Sequence, residues 1–82
     1  MDKKNLIRLL EAMRDNAHEC HVAFADVNER HMSEHYFGEY DAYGTIINIL
    51  TNKEYAAKMI HLFCEKGVSA DEKVKSYMEA NR

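Results

Sequence analysis

Apolar side chains recur at four-three spacing in two long stretches of this chain, a period that belongs to amphipathic helices. In the first stretch Leu6, Leu10, Met13, Ala17, Cys20, Phe24 and Val27 repeat over three heptads, and Leu9 and Ala23 widen the stripe. Asp2 precedes it as an N-cap. In the second, Ser33 to Leu50, the stripe is Tyr36, Tyr40, Tyr43, Ile47 and Leu50. Phe37 flanks it, and Gly44 beside it would let another backbone come close. The first stripe loses phase after Val27, because His31, Glu34, Gly38 and Asp41 occupy the next positions in register. The phase break predicts a turn near Glu29 to Met32, with Ser33 capping the second helix; one bent helix through this region is the alternative. Phe24 and Tyr43 are expected as core residues on facing helices.

Beyond Leu50 the pattern shortens. Thr51, Asn52, Lys53, Glu54 has the form of a capping box, and so does Ser69, Ala70, Asp71, Glu72. The first would open a third helix from about Asn52 to Glu65, with Tyr55, Ala56, Met59, Ile60, Leu62 and Phe63 inward and Gly67 as the residue after its end. The second would open a short fourth helix carrying Val74, Tyr77 and Met78. The expected fold is therefore all-α: a long antiparallel helical hairpin, then two shorter helices packed across it, a small helical bundle in one domain over residues 1–82. Ile7, Ile46 and Ile49 fall outside the stripes, and a homodimer built on the hairpin would bury them.

Composition sharpens this. The chain has 82 residues, no proline and three glycines, which suits helices and not tight-turned strands. Hydrophobic residues make up 46%, enough for a core. Cys20 and Cys64 sit among apolar neighbours and read as free, buried thiols of a reducing cytoplasm. Arg8, Glu11 and Arg14 interrupt the N-terminal apolar run, so it has no signal-peptide core, and no run is long enough to span a membrane.

Candidate chemistry is thin. His31, Met32, Ser33, Glu34 and His35 match H-x-x-E-H, in which two histidines one turn apart bind zinc and the glutamate activates water. Here the motif falls at the expected turn, in a chain with little room for a cleft, and polar residues at a helix junction are the expected reading. His18, Cys20 and His21 diverge around their helix, poor geometry for tetrahedral zinc. Paired carboxylates on facing helices hold magnesium in helical pyrophosphohydrolases, but only Asp26-x-x-Glu29 has that spacing. No catalytic residue, metal ligand or cofactor is expected. Leu62 to Met78 carries a Gly-Val-Ser turn like that of a helix-turn-helix, which makes a DNA-binding regulator using helices 3 and 4 the runner-up. Asp71 and Glu72 at the start of its second helix would repel phosphates, so direct nucleic-acid binding is not expected.

Charge is uneven. Residues 1–52 hold nine acids and five bases, a net of −4, and residues 53–82 five acids and six bases, a net of +1. Asp26, Glu29, Glu34, Glu39 and Asp41 would gather as an acidic surface around the hairpin tip. Such a surface serves solubility, or docks a basic or nucleic-acid-binding protein.

The segment Tyr36-Phe-Gly-Glu-Tyr-Asp-Ala-Tyr-Gly44 resembles the second helix of many small helical proteins of bacteriophages and mobile elements. The resemblance carries no catalytic or binding residue. It implies a cytoplasmic accessory protein, a class that includes acidic inhibitors of host defence nucleases. The expected function is thus a non-enzymatic interaction protein that binds, and on the inhibitor reading blocks, a host protein through an acidic helical surface.

Overall fold

A computed structural model describes residues 1–67 and 69–81. Among them the regular structure is helical: α1 (Lys3–Asp26), α2 (Arg30–Thr51), α3 (Lys53–Ile60), which runs on as a π-helical turn (His61–Lys66), and α4 (Ala70–Ala80). The chain divides into two compact units, Met1–Asn52 and Lys53–Arg82. No helix of the described residues is long and apolar enough to cross a membrane.

The first unit is the expected antiparallel hairpin, with α1 and α2 packed along their length. Asp2 caps α1 as read, its carboxylate accepting from the Asn5 N–H at 2.8 Å. The heptad stripe turns Leu10 and Ala17 fully inward, and Cys20 and Phe24 halfway. Ala17 is only 2% exposed, so α2 passes close over its methyl group. From α2 the stripe residues Tyr36, Tyr43, Ile47 and Leu50 are half-buried. Phe24 stacks on Tyr36, with centroids 5.6 Å apart and planes 5° from parallel. Phe24 and Tyr43 lie on the two facing helices as expected, but both are half-buried and not core.

The turn comes earlier than the loss of phase predicts. Asn28 adopts φ +60°, its N–H bonds to the Ala25 carbonyl at 3.1 Å, and the Glu29 N–H bonds to the Phe24 carbonyl at 2.9 Å. This pair of bonds around a left-handed residue is a Schellman motif, and asparagine is the usual substitute for glycine there. The next helix starts at once, with the Ser33 N–H bonded to the Glu29 carbonyl. Ser33 is therefore inside α2 and caps nothing. It is buried, at 6% exposure, and its hydroxyl reaches across the hairpin to α1.

Thr51 also departs from its expected role. Its hydroxyl donates to the Ile47 carbonyl at 2.8 Å, closing the last turn of α2, and Asn52 is the extended residue between the helices. A threonine hydroxyl that can bond one turn back competes with the capping arrangement. Gly44 differs too: a Cβ built there would meet nothing within 4 Å, so no backbone among the described residues crowds it.

In the second unit Tyr55, Ala56 and Met59 are half-buried as expected, whereas Ile60, Leu62 and Phe63 are exposed. The π-helical turn explains the last two, because i→i+5 bonding takes Leu62 and Phe63 out of the 3.6-residue register that the earlier residues share. Gly67 follows with φ +75°, the residue type that tolerates it. Ser69 caps α4 as read, accepting from the Glu72 N–H at 3.1 Å. Lys73 places its ammonium 5.2 Å from the Phe63 ring centre. Both thiols are free as expected, but Cys20 is half-buried and Cys64 exposed, since Cys64 lies in the π-helical turn.

Candidate interaction surface

The ring contacts define two sides of the hairpin. On one side Phe24 meets Tyr36. On the other, His18 lies 5.4 Å from Tyr40 and His21 lies 5.3 Å from Phe37, centroid to centroid. Helical register then places every other position on one of these sides or on the outer back of its helix.

The five acids do not share one place. Asp26 lies on the back of α1 and Glu29 in the turn. Glu34 and Asp41, seven residues apart, share the back of α2 by register. All four are exposed, and among the described residues only Glu34 has a cationic partner, Arg30 at 3.0 Å. Glu29, as the residue before α2, sets its charge at the positive end of that helix dipole, a favourable place for a carboxylate. Glu39 is different. It is half-buried on the Phe24–Tyr36 side, where it accepts from the Tyr43 hydroxyl at 3.2 Å and lies 2.9 Å from the His35 Nε2. Partial burial, and then the carboxylate of Glu39, hold the Tyr43 hydroxyl above the ordinary tyrosine pKa. Asp26, Glu29, Glu34 and Asp41 thus lie at the tip and on the helix backs, and Glu39 belongs to a separate Tyr–Glu–His group.

The H-x-x-E-H residues all lie in α2 and not in a turn. His31 and His35 are one helical turn apart and exposed, and His35 is paired with Glu39. Among the described residues no three histidines, cysteines or carboxylates come together as a metal site. The serine of the motif has the more informative surroundings. The His21 Nδ1 lies 2.8 Å from the Ser33 hydroxyl and 2.9 Å from the Ser33 carbonyl, and that hydroxyl lies 3.0 Å from the His21 carbonyl. A carbonyl oxygen can only accept, so Nδ1 carries the proton and donates, and Ser33 donates onward to the His21 carbonyl. The serine hydroxyl is turned to the His21 carbonyl, so the pair ties α1 to α2 across the hairpin. Sequence reasoning missed it because a serine after a turn reads first as a cap; its position one heptad before Tyr40 was the available signal.

In the second unit Lys66 and Lys73 line one open groove with Leu62, Gly67, Glu72 and Ser76. Asp71 and Glu72 occupy the first turn of α4, as the sequence requires. The Gly-Val-Ser turn falls in part on residue 68, outside the described residues. No family model, curated protein or solved structure matches this chain.

Proposed function

We propose that the protein is a non-enzymatic interaction module that docks a basic partner protein through the acidic tip and outer back of its hairpin. The observation that supports this most directly is the state of the acids: Asp26 on α1, Glu29 in the turn and Asp41 on α2 are exposed with no cation in ion-pair reach among the described residues. Exposed carboxylates without a cationic partner on a packed hairpin steer a basic surface toward them. A partner that itself binds nucleic acid has the matching positive surface, and an accessory protein that blocks such a partner is the biological setting this charge fits.

The test is capture of partner from the native cell by wild type and by Glu34→Lys/Asp41→Lys, in a salt series. The double variant should keep its helicity and lose most of its capture at low salt, with a shallower dependence on salt. Equal capture by both proteins would leave the acids as a solvated face and remove the proposal's basis. Duplex DNA binding by wild type at physiological salt would favour the regulator reading instead.

A further inference from the structure

We infer that the Phe24–Tyr36 side of the hairpin is covered by a second copy of this chain, giving a four-helix bundle of two hairpins. The inference stands apart from the acidic docking surface, which lies at the tip and on the back. Leu10 and Ala17 are the only hydrophobic residues buried among those described, far fewer than a small helical scaffold needs. On the Phe24–Tyr36 side, register aligns Leu6, Leu9, Met13 and Cys20 of α1 with Tyr43 and Ile46 of α2. Leu9 is 46% exposed and Ile46 is 41% exposed, with Leu6 and Met13 close behind. These are core residue types left without a core.

Charge and size together select the occupant. Every charged residue of α1 falls on its other side or its back, and the one carboxylate of α2 on this side, Glu39, is already held by Tyr43 and His35. A basic partner would find only this one carboxylate here, already engaged by Tyr43 and His35, whereas two such sparsely charged faces meet with less repulsion than this net −3 chain would suffer elsewhere. From Leu6 to Phe24 the face is about 27 Å long at 1.5 Å per residue, and two helices side by side make it about 20 Å wide. That is a flat footprint of roughly 540 Å² per copy, so two copies together pass the roughly 1,000 Å² of a specific interface. Two hairpins packed this way form the standard four-helix arrangement, with the contact patch identical on both copies.

Sedimentation equilibrium and thermal melting over a hundredfold concentration range test this. Wild type should sediment at about 19 kDa, twice the 9.6 kDa chain, and its melting temperature should rise with concentration because unfolding is coupled to dissociation. Leu9→Glu/Ile46→Glu should weaken self-association at least ~100-fold, since two carboxylates per copy must then be desolvated. Val22→Glu, at an exposed position on the opposite side, and Glu34→Lys/Asp41→Lys should leave the mass unchanged. A single-chain mass with concentration-independent melting overturns the inference. So does a dimer that survives Leu9→Glu/Ile46→Glu.

Discussion

The Ser33 hydroxyl and the His21 Nδ1 lie 2.8 Å apart across the hairpin, and the same serine hydroxyl donates to the His21 carbonyl at 3.0 Å. This is a reciprocal polar clasp in the most buried polar position of the described chain. Buried groups that lose a partner cost more than an average hydrogen bond contributes. Ser33→Ala should therefore destabilise by about 1–3 kcal/mol in urea unfolding, well above the effect of an exposed serine. A double-mutant cycle with His21→Phe should show coupling, because the two residues share one network. Additive single effects would mean that the clasp does not hold in solution.

The hairpin turn offers a backbone test. Asn28 holds φ +60°, a conformation that costs an ordinary L-residue about 1–2 kcal/mol. Asn28→Ala should lower stability by about 1 kcal/mol, and Asn28→Gly should be neutral or slightly stabilising. The order Gly ≥ Asn > Ala in melting temperature checks both. If alanine were tolerated as well as glycine, the turn would have another geometry.

What could be read from the chain, and what could not, follows from which interactions are local. The heptads through Leu10, Ala17 and Phe24, the Asp2 cap and the Ser69 cap all depend on neighbours in sequence, and all appear in the structure as read. Ser33 and Thr51 did not, because each hydroxyl has two possible partners and packing or the preceding turn decides between them. The π-helical turn left Leu62 and Phe63 outside, and no residue pattern marks it. For the acids the signal was present: Glu39 is five residues from Glu34, so register alone sets it on another side of α2 from Glu34 and Asp41.

Gly38 and Gly44 interrupt α2 without a packing reason among the described residues, since a Cβ at either would meet nothing within 4 Å. Glycine in a helix interior is about 0.5–1 kcal/mol less stable than alanine. Gly38→Ala and Gly44→Ala should each stabilise by that amount, read as a rise in the midpoint of urea unfolding with an unchanged slope. Gly44 lies on the His18–Tyr40 side, away from the face assigned to the second copy, so dimerisation should not alter its response. A loss of stability in Gly44→Ala would show that something outside the chain packs against it.

Tyr43 ties the pH response to the Glu39 group. Partial burial and the neighbouring carboxylate both favour the neutral phenol, so its folded-state pKa is raised. The sign of the stability effect follows by linkage. Below the ordinary tyrosine value of about 10 the stabilising contribution is fully present, and it is lost as pH rises through the raised value. In an alkaline ultraviolet titration, the difference between wild type and Tyr43→Phe should show one phenol ionising later than an ordinary tyrosine. Glu39→Gln should bring that titration part of the way back, because it removes the negative charge while burial remains. A Tyr43 that ionises at the ordinary value in wild type, or is indifferent to Glu39→Gln, would break the Tyr–Glu link and leave Glu39 free to join the exposed acids.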